Sequence, residues 1–153
     1  MIAQIKLQTP DNKTGLISIA EPSVMAVARN TRYLSEAQTA IKAHYGIDPD
    51  AEPDPNDMSD GALIAGYVYV WAALKACMTG FEIQTDDEQF IDAELPPEWA
   101  EPVAFCENMP WSAFLEIRRV ISEISSGALI GRLPGADDSQ KKLPAVTTTW
   151  LTS

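Results

Sequence analysis

The stretch ALIAGYVYVWAALKACM, residues 62 to 78, constrains the fold more than any other part of the chain. As a helix it puts apolar side chains on nearly every face, with Leu63, Val70, Leu74, Cys77 and Met78 along its length. A helix that is apolar all round has to be covered on all sides, so it belongs at the centre of a packed domain. Ser59 is placed to cap it and Gly80 to end it, which predicts a helix over residues 60 to 79. The run contains Lys75 and falls short of the roughly 20 apolar residues that span a bilayer.

A chain of 153 residues has enough material to cover such a helix. A domain of that size buries roughly 70% of the surface its unfolded chain exposes. A hydrophobic fraction of 46% then suffices for a core without disulfide or metal staples. Cys77 and Cys106 both fall in apolar helical patterns and read as buried thiols rather than a disulfide framework.

The covering elements are legible on both sides. AQIKLQ and LISIA alternate apolar with polar or small residues, and TPDNKTG between them is rich in turn formers. They predict an N-terminal β-hairpin with Ile5 and Leu7 facing inward, which has to pack on helices or pair with further strands. EPSVMAVARN reads as a short helix opening at Pro22. SEAQTAIKAHYG reads as a second, capped by Ser35, striped by Ala37, Ile41 and Tyr45, and ended by Gly46. Beyond the central helix, Phe81 to Ile83 is a short strand candidate and Pro97 opens a helix through Glu107. The clearest amphipathic pattern follows, with Trp111, Phe114, Ile117, Ile121 and Ile124 spaced by three and four residues and Gly127 as its end. Trp71 belongs in the core, and Trp99 and Trp111 flank the preceding short helix and are placed to pack it down. After Gly127 the composition is that of a loose tail, although AVTTTWL has strand propensity. That segment either joins a partner's sheet or folds back on the N-terminal hairpin.

The charge is uneven. There are 22 acidic residues against 11 basic, and the fifteen acids from Asp48 to Glu107 share their stretch with one base, Lys75. Phosphate binding depends on clustered Lys and Arg, so direct nucleic-acid binding is disfavoured, as is docking on an anionic membrane. GIDPDAEPDPND, residues 46 to 57, is the densest acidic segment. Asp48, Asp50, Glu52 and Asp54 have the spacing of early calcium-loop ligands, but Pro53 stands where glycine is needed and Ser59 where a bidentate Glu is needed. Three prolines remove backbone donors, and the segment reads as a stiff acidic connector.

No catalytic set can be assembled. His44 is the one histidine, near a helix end where it suits the negative end of the dipole, and the cysteines lack C-x-x-C spacing. GALIGRLPG lacks the Gly-Lys-Ser/Thr ending of a phosphate loop. No metal and no cofactor is expected, and the expected class is non-enzymatic. Candidate partner-binding residues are Trp150 and Leu151 in the tail, Arg118 and Arg119 on the last helix, and Asp86, Asp87 and Glu88 in the acidic loop. Glu116 and Glu123 stand where they can pair with the arginines. The opening MIAQIKLQTP lacks the charged and continuous apolar regions of a signal peptide, so the expected location is the cytoplasm.

A short, acidic, mainly helical chain that opens on a hairpin and carries LPPEWAEPVAFCENMPWSAFLEIRRVISEI before its end resembles the tail assembly chaperones of long-tailed bacteriophages. The likeness covers the layout of residues 1 to 126. It implies a non-enzymatic protein of the host cytoplasm that binds the tape-measure protein while tail-tube subunits polymerise. The expectation is therefore an α+β, mainly α domain over residues 1–126, with a hairpin, four or five helices, an acidic connector at 46–58 and a loose or partner-binding tail at 127–153. Its expected role is an assembly factor that engages a structural protein through apolar helix faces and the tail. An acidic inhibitor or nucleic-acid mimic from a mobile element is the alternative. Association with copies of itself stays open.

Overall fold

In a computed structural model of the chain, residues 1–46, 60–126, 129 and 146–151 are described, with backbone alone for 60–66. The acidic connector, nearly all of GALIGRLPG, and the intervening tail lie outside the described residues. The class is α+β and mainly helical, as the sequence leads one to expect.

Strands β1 (Ile2–Gln8) and β2 (Thr14–Ala20) form the predicted hairpin, with Ile5 opposite Ile17 and Leu7 opposite Gly15. Their alternation turns Ala3, Ile5, Leu7, Ile17 and Ile19 inward, all buried. The turn is closed by Thr9, whose N–H donates to the Lys13 carbonyl at 2.8 Å and whose hydroxyl donates to Asp11 at 2.5 Å. Asn12 takes the left-handed conformation there, φ 64°, which asparagine tolerates better than most residues.

One helix, α1 (Val24–Tyr45), replaces the two that were expected. Nothing between Val24 and Tyr45 is proline or glycine, so extending a helix costs less than starting a second one. Its N-cap is Ser23, which accepts from the Ala26 N–H at 3.1 Å, whereas Ser35 sits exposed in the helix interior. Gly46 ends it in the left-handed conformation at φ 70°, its N–H bonded to the Lys42 carbonyl.

The apolar run forms α2 (Asp60–Cys77), and it is central. Val68, Val70, Trp71, Ala72, Ala73, Leu74, Ala76 and Cys77 are all buried, with α1, α4, α5 and β2 packed around them. The helix ends earlier than Gly80 suggests, because Met78 already begins β3 (Met78–Gln84) with no loop between. Gly80 is a strand residue opposite Ser18. Thr79 is the extra residue of a bulge between the Ser18–Gly80 and Ile19–Met78 pairs. A short β4 (Phe90–Asp92), absent from the sequence reading, pairs back on β3.

The single helix expected from Pro97 is two, α3 (Pro97–Ala100) and α4 (Pro102–Asn108). Pro102 excludes the helical region for the residue before it, and Glu101 is extended at φ −106°, ψ 144°. The amphipathic pattern forms α5 (Trp111–Ile124), entered from Pro110. Four residues of its predicted stripe, Phe114, Ile117, Ile121 and Ile124, are buried. Trp99 is buried and meets Phe81 edge-on, but Trp111 departs from expectation at 57% exposure.

AVTTTWL folds back. Its residues Thr147–Leu151 form β5, antiparallel to β1, and complete a five-stranded sheet in the order β4-β3-β2-β1-β5. One sheet face packs on the helices. On the other, no described residue is buried.

Two substitutions test this packing by thermal or denaturant unfolding. Leu74→Ala removes a fully buried side chain from the centre of α2 and should cost about 2–5 kcal/mol. Gly15→Val should cost about 1–3 kcal/mol, because even a Cβ at Gly15 would lie 3.0 Å from the Phe81 ring and from Thr9.

Candidate interaction surface

Polar chemistry in the interior is sparse and structural. Among the described residues no group of three His, Cys, Asp or Glu could hold a metal ion. His44 lies in the last turn of α1 with its ring edge-on to Tyr45, centroids 4.7 Å apart. The Tyr45 hydroxyl donates to Glu107 at 2.5 Å, tying the end of α1 to α4. Burial, then this bond and the Glu107 charge, push the phenol well above its ordinary range. Beside it, burial and the same carboxylate push the Cys106 thiol up to about 11. Both cysteines are unpaired thiols, Cys77 buried and Cys106 half-buried.

The residues singled out in the sequence do not come together. Asp86, Asp87 and Glu88 are exposed on the turn joining β3 to β4, at one edge of the sheet. That turn is closed by the Thr85 N–H bonded to the Gln89 carbonyl at 2.7 Å, with Glu88 left-handed at φ 63°. Trp150 and Leu151 are at the opposite edge, four strand spacings from β4, roughly 19 Å at ordinary strand spacing. Trp150 faces the helices beside Ala3 and packs on the core, half-buried, while Leu151 points to the open face at 39% exposure. The two arginines part on α5. Arg119 is clamped by both carboxylates expected to meet it, donating to Glu116 at 2.7 Å and to Glu123 at 2.8 Å. Glu116 is buried, so this pairing satisfies a carboxylate that would otherwise be costly inside. Arg118 sits 6.0 Å from the centre of the Phe114 ring. That ring also stacks on exposed Trp111, centroids 5.5 Å apart.

The most exposed apolar surface is elsewhere, on the outer side of α1. Val24 is 86% exposed and Met25 64%, while Val27, 45% exposed, lies at the flank beside buried Ile41. At 100° per residue, Val24, Ala28 and Arg32 follow one another along the side of the helix away from buried Ala26, Ala37 and Ile41. Exposed Arg32 and Lys42 continue this face, with Glu36 as its one acid. A helix face carrying net positive charge and bare valine and methionine is unusual in a chain of net charge −11. The sheet adds to it at the helix N-terminus. The Glu21 N–H bonds the Met1 carbonyl at 3.2 Å, and Ile2 is in register with both Ala20 and Leu151. Exposed Met1 therefore lies beside Glu21, shortly before α1 begins, while Leu151 is one strand further on and on the open face. The signal for this face was present in SVMAVARNTR, where apolar residues follow a cap on the side the helical stripe leaves out.

Comparison with protein-family models, curated proteins and solved structures gives no match.

The half-buried thiol gives a pH test. Cys106 keeps its proton in the folded chain up to about 11 against an ordinary 9.0. The folded state therefore holds more protons than the unfolded state in that interval, and stability falls as pH rises through it. The melting temperature should drop between pH 9.0 and about 11, and Cys106→Ala should flatten that drop.

Proposed function

We infer that this chain is a non-enzymatic binding protein, an assembly factor of the tail-chaperone kind, that holds a helical structural protein against the outer face of α1. The observation that carries the reading is the exposure of Val24 and Met25 on the first turn of a long, well-capped helix. Monomeric proteins seldom leave large apolar side chains grouped at one place, and such patches mark interaction sites. Arg32 and Lys42 along the same face call for a client helix whose apolar stripe is bordered by acids. The layout of hairpin, helices and acidic surface supports the same reading.

The variant Val24→Glu with Met25→Glu separates binding from folding. Both side chains are exposed, and the first turn of α1 has no acid at present. Carboxylates near a helix N-terminus are favourable by about 0.3–1 kcal/mol, so the variant should melt no lower than the parent. Co-expressed with the tape-measure protein of the same genome, the parent chain should keep that client in the supernatant and co-purify with it at moderate salt. The variant should lose it. Reversing Asp86, Asp87 and Glu88 to Lys should leave capture unchanged, because that turn lies across the sheet from β5 and the corner at Met1. Capture that disappears on this reversal, or collapses with salt, would instead support the acidic-mimic alternative.

A further inference from the structure

Lys75 is the one base in the acidic stretch from Asp48 to Glu107, yet it pairs with no acid of the described residues. Ion pairs there join Lys13 to Asp11 and Arg119 to Glu116 and Glu123. The Lys75 ammonium, half-buried on α2, lies instead 5.9 Å from the centre of the Tyr33 ring on α1. The Arg32 guanidinium lies 5.2 Å from the same centre. Trp71, one turn before Lys75, meets that ring edge-on with centroids 6.0 Å apart and holds it in place. Arg29 stands one turn before Tyr33 on α1. Burial pushes the Cys77 thiol up and the Arg29 charge partly holds it down, so Arg29 reaches toward the last turn of α2.

Three of the chain's eleven bases therefore gather at one place on the α1–α2 seam, in a chain with 22 acids, and no described carboxylate joins them. Glu36 is one turn beyond Arg32 and within reach by spacing, but forms no ion pair with it. The ring face attracts the cations, while the cations repel each other and the half-buried ammonium gives up part of its hydration. Folding alone would favour an acid here. A seam lined by one sign of charge concentrates groups of the other sign.

We propose that Arg29, Arg32 and Lys75, gathered around Tyr33, are the seat for a pair of carboxylates on the client helix. The proposal rests on the client reading above and adds to it where the client's acids lie. The seat is one to two turns beyond Met25, about 6–12 Å along the axis of α1, on the flank toward α2. A client helix with an apolar side chain against Val24 and Met25 therefore carries Asp or Glu one and two turns further along. The two acids are spaced by three or four residues, so that both share one face. The arginines offer planar forks that match a carboxylate in two bonds, and the lysine adds a point charge at the floor of the seam.

The test is affinity for the tape-measure protein of the same genome, measured by titration at low and at moderate salt. Arg29→Gln combined with Lys75→Gln should bind about tenfold more weakly at low salt, and its affinity should vary less with salt than the parent's. Lys75→Arg keeps the charge and should bind as the parent does. Arg29 is exposed and neither side chain has a described carboxylate partner, so melting transitions should show the variants folded. Should Lys75→Gln disturb the seam, Arg29→Gln alone carries the same test with a smaller loss of about threefold. A double variant that binds as tightly as the parent, with the same salt dependence, would overturn the seat and leave the α1 reading standing. So would a Lys75→Arg chain that loses as much as Lys75→Gln, since packing rather than charge would then be at work. If the double substitution changes the mass of the free chain in light scattering, the occupant is a second copy and the proposal falls. A parent chain that captures no client removes both the seat and the reading beneath it.

Discussion

Between Val68 and Cys77 only Tyr69 and Lys75 escape full burial, so one helix of this fold meets protein on nearly every side. The elements packed against it are placed by the need to cover it. The sheet supplies one wall through β2, and α1, α4 and α5 supply the others. Because α2 runs directly into β3, the same continuous segment is both the centre of the helical layer and a middle strand of the sheet. Helical and sheet layers are thereby fastened together without a loop. Loss of packing around Trp71 or Leu74 would disturb both at once.

That arrangement decides which surfaces remain outside. α1 buries small or narrow faces, Ala26, Ala37 and Ile41, against α2, and turns Val24 and Met25 away from it. The sheet covers the core with one face only. Charge is divided among these surfaces: basic along the outside of α1, nearly neutral over β1, β2 and β5, acidic from the β3–β4 turn through α3 and α4.

Much of this was legible in the sequence, and the rest follows from physical competition between signals. The central position of α2 follows from its lack of a polar face. The hairpin follows from its alternation, and α5 from its spacing. Where two local signals competed, tertiary context decided. Ser35 is a good cap, but with Ser23 already capping a helix free of breakers it had no end to cap. Pro102 split a helix that composition alone would have carried through. Gly80 looked like a terminator, yet β2 offered a pairing partner from Met78 onward, and strand pairing ended the helix first. The position of β5 was not decidable from AVTTTWL itself, since strand propensity does not say which edge is open. The α1 face was overlooked because apolar residues beside a cap read naturally as core, and only the rotation of the helix shows which side they occupy.

Hydrogen exchange on the complex with the helical client tests the functional account most directly, because it reads the contact in the unmodified chain. Binding at the outer face of α1 predicts slowed exchange in its first turns, about residues 24 to 32, with no change over the acidic turn at 85–89. Protection at 85–89 alone, or a complex that forms while the first turns of α1 exchange as they do in the free chain, would contradict it.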